Sequence, residues 1–167
     1  TSLNVDVNGQ TLTLTDLNAC GADGASAMTS ITVTDKLHPT GQTGSVSGLT
    51  TDRDGYGAKL TSGVTVNATN VNVGTISLTG RTNTVTLTNC AFTSITMNGT
   101  SYDANNKVTY AAQRLTTKGA TSTAGTITIT GDGSTVGLQD TTSGAVTLES
   151  NGGSLTIGGY SDIGAVT

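Results

Sequence analysis

The sequence predicts an all-β protein: a single-domain β-solenoid (a parallel β-helix), with an antiparallel β-sandwich or jelly roll as the alternative. Three observations predict it. Apolar residues alternate with threonine at period two, the alternating segments recur at nearly regular intervals, and short clusters of turn formers separate them. The 167 residues include 37 Thr and 23 Gly but one Pro, one Phe and no Trp. Such a supply fills a narrow solenoid with Val, Ile, Leu and Ala, and lacks the large aromatics that commonly pack between the sheets of a sandwich.

In chain order the strand motif reads Leu12-Thr13-Leu14, Ile31-Thr32-Val33, Val64-Thr65-Val66, Val85-Thr86-Leu87, Ile127-Thr128-Ile129, Val146-Thr147-Leu148 and Leu155-Thr156-Ile157. Two apolar side chains face one way and a β-branched hydroxyl faces the other, which suits a half-buried strand. The first apolar residues Ile76, Val85 and Ile95, and then Ile127, Val136, Val146, Leu155 and Ile163, step forward by roughly eight to ten residues. Alternate steps sum to about nineteen, so parallel pairing is expected between segments about nineteen apart. Leu12 and Ile31 show the same separation. The clusters Gly80-Arg81-Thr82-Asn83, Gly131-Asp132-Gly133-Ser134 and Asn151-Gly152-Gly153 supply positive φ or local side-chain hydrogen bonds for the turns. Helical spacing occurs only over 108–117, through Ala111, Ala112 and Leu115, and that stretch reads equally well as strand and turn.

Residues 1–167 are expected to form one domain with surface insertions around 35–63 and 100–125. The first insertion holds His38, Pro39 and Tyr56; the second holds Tyr102, Lys107, Tyr110, Arg114 and Lys118. Insertions in a repeat protein leave the stack as loops, often on one binding face. Tyr56, Tyr102, Tyr110 and Arg114 are therefore the candidate ligand-contact residues.

Charge narrows the partners. Only 11% of residues are charged and the net charge is -4, so no basic stripe exists for nucleic acid. No apolar run approaches the ~20 residues of a membrane helix. Thr1 begins directly in a strand-like pattern with no signal or transit segment, as expected of a mature exported chain.

The C-terminal stretch Gly144-Ala-Val-Thr-Leu-Glu-Ser-Asn-Gly-Gly-Ser-Leu-Thr-Ile-Gly-Gly-Tyr-Ser-Asp-Ile-Gly-Ala-Val-Thr167 resembles the repeats of filamentous-haemagglutinin-type and autotransporter adhesins. Residues 64–99 resemble them less closely. The resemblance implies short strands on successive faces of a right-handed β-helix, and an extracellular, non-catalytic surface role. The two Cys residues, the small size and the irregular middle depart from that family's pattern.

Individual residues suggest little chemistry. Cys20 and Cys90 lie seventy residues apart, too far for a CxxC redox or zinc motif. They are expected to form a long-range disulfide, contributing about 4 kcal/mol in the chain-entropy model; the alternative is two small buried core residues. Asp52 and Asp54 precede Gly55 like a fragment of a calcium loop, so calcium is the one cofactor the sequence suggests. A full EF-hand pattern needs further ligands that are missing, and ordinary turn chemistry also explains the pair. Asp103-Ala-Asn105-Asn106 and Gly131-Asp132-Gly133 are similar partial signals. His38 is the sole His and Glu149 the sole Glu, too few for a Ser-His-Asp triad or a His-rich metal site. An enzyme is not expected. Asn67-Ala-Thr69 and Asn98-Gly-Thr100 match the N-glycosylation pattern. The rows Thr11/Thr13/Thr15, Thr84/Thr86/Thr88 and Thr126/Thr128/Thr130 each line one strand face, at about 6.6–6.8 Å along the strand, a pattern similar to ice-binding solenoids.

The expected function is a non-catalytic structural subunit of an extracellular assembly (filament, sheath or surface layer), on a cell or virion surface. Four Lys and one Pro leave the sheet edges without their usual protection, which favours pairing with further copies of the chain. Leu3–Val7 and Ile163–Val166 would meet at such a contact. The alternatives are an adhesin or phage receptor-binding or decoration module contacting a cell-surface glycan, and an ice-binding protein.

Overall fold

The structure is a computed structural model that describes residues 2–15, 17, 29–38, 43–51, 63–102 and 108–167. Its described residues contain strands and turns and no helix. They form a β-solenoid whose coils run over three faces, A, B and C. The first coil supplies β1 (Ser2–Asp6) and β2 (Thr11–Thr13), and the second β3 (Ser30–Thr34), β4 (Gly44–Ser47) and β5 (Leu49–Thr50). The third supplies β6 (Thr65–Thr69), β7 (Val71–Asn72) and β8 (Thr75–Thr79), and the fourth β9 (Thr84–Thr88) and β10 (Ser94–Asn98). A hairpin of β11 (Thr100–Tyr102) and β12 (Val108–Tyr110) then leaves the stack. The fifth coil resumes with β13 (Arg114–Lys118) and β14 (Ile127–Thr130). The sixth holds β15 (Thr135–Gln139), β16 (Thr142–Ser143) and β17 (Val146–Glu149), and the last β18 (Ser154–Gly158) and β19 (Asp162–Ile163).

Face A is a seven-stranded sheet in the order β1-β3-β6-β9-β13-β15-β18, and face C a five-stranded sheet in the order β17-β14-β10-β8-β5. Face B is thinner. It consists of β2-β4-β7 and β16-β19, joined by single bridges from Asn72 through Ala91 and Thr121 to Thr142. Every pairing among these strands is parallel; the hairpin β11–β12 is the antiparallel exception among the described residues. The parallel ladders exclude the sandwich alternative.

The nineteen-residue period is present. Thr65 pairs with Thr84, Ile76 with Ile95, Ile127 with Val146 and Thr135 with Ser154, each nineteen residues apart. Leu12 and Ile31 are not such a pair: Leu12 lies on face B opposite Val46, and Ile31 on face A opposite Leu3. Their spacing coincides with the period because the first coil is lengthened: Ser2 and Ser30, which pair on face A, lie 28 residues apart. The steps of eight to ten residues alternate between faces A and C up to Leu155, while the last, to Ile163, reaches β19 on face B; the other short face-B strands escaped the stepping signal. Residues 108–117 form β12 and the start of β13 rather than a helix. The insertions are also narrower than the sequence suggests, since β4, β5, β13 and Thr121 all belong to the stack.

Parallel register aligns the inward residues into columns. One face-A column runs Ile31, Val66, Val85, Leu115 and Val136, and its neighbour runs Val33, Ala68, Leu87, Thr117 and Leu138; all are buried. Leu49, Ile76, Ile95, Ile127 and Val146 form the matching column of face C. Each such aliphatic side chain contributes about 1.5–3 kcal/mol by leaving water. The one hydroxyl in these columns is paired: Thr117 Oγ1 lies 2.7 Å from Thr141 Oγ1, which donates to the Gln139 carbonyl at 2.9 Å.

The turn from face A to face B recurs at one height. Asn70, Asn89, Gly119, Asp140 and Gly159 follow successive face-A strands, and all have positive φ. Asn and Asp are the side chains that tolerate this conformation best, because they bond locally. Asp140 Oδ1 instead reaches the next coil and accepts the Tyr160 N–H at 2.8 Å.

Two glycines give opposite expectations. At Gly48 (φ +84) a Cβ would lie 1.8 Å from the Leu14 carbonyl oxygen, whereas at Gly137 nothing lies within 4 Å of one. Gly48→Ala should cost about 2 kcal/mol or more, since the obstacle is backbone. Gly137→Thr should stabilise by about 0.5–1 kcal/mol by giving an open strand position a β-former. Urea unfolding of the two variants checks both signs.

Candidate functional site

The hairpin β11–β12 departs between the fourth and fifth coils and has to be accommodated. Gln113, fully buried, closes the gap. Its Oε1 accepts the Asn83 Nδ2 at 3.0 Å and the Asn83 N–H at 3.3 Å, while its Nε2 donates to the carbonyls of Arg81, Ala111 and Ala112. Asn83 Oδ1 in turn accepts the Val64 N–H, and Ser134 Oγ accepts the Gln113 N–H at 2.8 Å. Buried Asn83, Gln113 and Ser134 thus tie four successive coils together at the corner between faces C and A. Gln113→Leu would orphan the Asn83 donors and the three carbonyls, and should destabilise the fold by about 3 kcal/mol or more in urea unfolding.

With its base held in this way, the hairpin delivers Tyr110 to the rim of a groove of about 370 Å³. Thr130, Asp132, Glu149, Ser150 and Asn151 line the remainder. Thr130 and Glu149 are adjacent strand ends of face C, and Asp132, Ser150 and Asn151 come from the two turns that follow them. The stacked turns are fixed by backbone bonds: the Asp132 N–H donates to the Tyr110 carbonyl at 3.2 Å, and the Gly133 N–H to the Asn151 carbonyl at 2.8 Å. Asp132 Oδ1 accepts the Asn151 N–H at 3.2 Å. Among the described residues no Lys, Arg or His lines the groove.

Of the four candidate ligand-contact residues, Tyr110 is the one brought to this groove among the described residues, where it meets Asp132 of the partial calcium signal. Tyr110 is 51% exposed. Arg114 stands on the outer surface of face A between Thr84 and Thr135. Tyr102 is part of β11, opposite Val108. Tyr56, Asp52, Asp54 and Cys20 lie outside the described residues. Cys90 is a free thiol, fully buried in the core, and its Sγ donates to the Thr88 carbonyl at 3.3 Å. Burial pushes that thiol up, against the opposing pull of backbone hydrogen bonds, so it is a weak nucleophile at neutral pH. Among the described residues no three His, Cys, Asp or Glu side chains gather as a metal site. The three threonine rows stand on different faces: Thr11 and Thr13 on B, Thr84, Thr86 and Thr88 on A, and Thr128 and Thr130 on C. They do not form one plane.

Sequence reasoning missed the setting of His38. Asp35, fully buried, accepts the Gly9 and Gly44 N–H groups on Oδ2 and the His38 N–H on Oδ1, each at 3.1 Å. The His38 ring Nδ1 lies 3.1 Å from both carboxylate oxygens. One carboxylate therefore clamps the first coil, its own turn and the start of β4. Burial alone would raise the Asp35 pKa. The hydrogen bonds and charge of His38, with the Gly44 N–H, outweigh burial and hold it below the ordinary carboxylate value. Its contribution is then full above the unfolded-state value of about 3.9, and is lost as the pH falls through that value to the lowered folded one. Thermal midpoints measured from pH 7 to pH 2 should fall at the acid end in the parent. Asp35→Asn should lower the neutral-pH midpoint and flatten that acid-side slope.

Compared with known proteins, the chain matches no family model, no curated protein and no solved structure.

Proposed function

We propose that the protein is a non-catalytic structural unit of an extracellular assembly, and that its copies stack head to tail along the solenoid axis. One observation carries this reading: the inward columns stay open at both ends. Ile157 occupies the same column as Leu138 and Leu87, which are 1% and 0% exposed, yet Ile157 is 42% exposed because, among the described residues, no strand covers β18. The apolar residues only partly buried against the core are Leu3, Val5, Leu12 and Leu14 at one end, and Leu148, Leu155 and Ile163 at the other. Val166 and Tyr160 add exposed surface to the second end, at 50% and 95%.

The two ends are complementary by construction. β1 and β18 are the opposite edges of one parallel sheet, and each has one row of backbone donors and acceptors without a strand partner among the described residues. If β1 of a second copy continues the ladder, Leu3 falls on Leu155 and Val5 on Ile157. A head-to-tail contact of this kind does not close on itself, so it produces a filament. Low charge and the resemblance of the C-terminal repeats to adhesin solenoids support a surface location.

Sedimentation velocity and electron microscopy of the purified chain test this. Concentration-dependent polymers are expected, and Ile157→Lys should abolish them because it places a charge on the contact. Thr86→Lys, mid-face on β9, should leave them intact. A monodisperse monomer for the parent chain, or polymers indifferent to Ile157→Lys, would contradict the proposal.

A further inference from the structure

Independently of any stacking, we infer that the groove beneath Tyr110 is a binding site for a neutral saccharide. The ligand's chemistry follows from what the groove supplies. Tyr110 presents an exposed ring at the rim, an apolar platform for the C–H face of a pyranose. Asp132 and Glu149 supply acceptors for sugar hydroxyls, Asp132 held by the Asn151 N–H. Among the described residues, the Glu149 carboxylate and the Tyr110 hydroxyl have no hydrogen-bond partner, and Asp132 uses only Oδ1, on the Asn151 N–H. Thr130, Ser150 and Asn151 both donate and accept, as a ligand made of hydroxyls requires.

The same inventory disfavours other ligands. A phosphate or carboxylate would meet two carboxylates and, among the described residues, no cation. A basic peptide would use the carboxylates, but it would leave the hydroxyl and amide donors facing ammonium or guanidinium groups, which accept nothing. A volume of about 370 Å³ admits one or two sugar rings and leaves the remainder of a chain in solvent, so the site fits an internal or terminal segment of a glycan. The groove is also preformed, since backbone bonds between stacked coils hold three of its walls. Little ordering cost therefore remains to be met on binding.

The test uses the full chain and four soluble probes, cellohexaose, mannohexaose, chitohexaose and maltohexaose, each titrated to about 10 mM and followed by protein NMR. That concentration exceeds the millimolar limit of a weak site. At least one probe should shift resonances of Asp132, Glu149 and Asn151. Tyr110→Ala and Glu149→Gln should each weaken its binding by roughly tenfold or more. Both side chains are exposed, so thermal midpoints should stay near the parent's and a loss of binding will report the site itself. No shifts with any of the four probes would overturn the inference, as would binding indifferent to Tyr110→Ala. Salt-sensitive binding of a penta-lysine peptide at these residues, with none by the sugars, would overturn it in favour of a basic partner.

Discussion

Everything in this molecule depends on keeping successive coils in parallel register. A strand displaced by one residue would turn its threonines inward and its valines outward, so the alternation and the register enforce each other. The stack tolerates large differences in coil length because only the strands need to coincide. Ser2, Ser30, Thr65, Thr84, Arg114, Thr135 and Ser154 share one row of face A, although 19 to 35 residues separate them. What varies between them is carried outside the ladder.

Two buried polar groups make that variation possible. Where the hairpin leaves, Gln113 takes over bonds that adjacent backbone would otherwise exchange. Where the second coil swells, Asp35 gathers N–H groups from Gly9, His38 and Gly44. Both residues bridge coils rather than decorate a turn. The Gln113 network also sets the base of the hairpin, so the position of Tyr110 over its groove is a consequence of core packing. The candidate site is placed by the same bonds that repair the stack.

Much of the fold was legible because a solenoid repeats its signal. Thr-flanked apolar pairs marked faces A and C, and their nineteen-residue spacing marked the parallel pairing. Apart from Leu12 and Ile163, face B was hidden: two-residue strands such as Val71–Asn72 and single bridges at Ala91 and Thr121 are too short for any periodicity. Gln113 and Asp35 were hidden for another reason, since a lone polar residue in a sequence reads as surface until its neighbours are known. The groove was half legible. Tyr110 stood out as a rare aromatic and Asp132 as a turn residue. Their union with Glu149 and Asn151 depends on coils that are distant in sequence and adjacent in space.

The open ends bear most directly on function. An inward row that is buried over five coils and exposed on the last is a surface shaped for another coil, and the first coil of a second copy has the matching row. Electron cryo-microscopy of the assembled polymer measures this contact directly. Strand spacing of about 4.8 Å should continue across the junction, with β1 of one copy parallel to β18 of the next and Leu3 over Leu155. Lateral packing of the solenoids through their outer faces, with the ends left uncovered, would contradict the account.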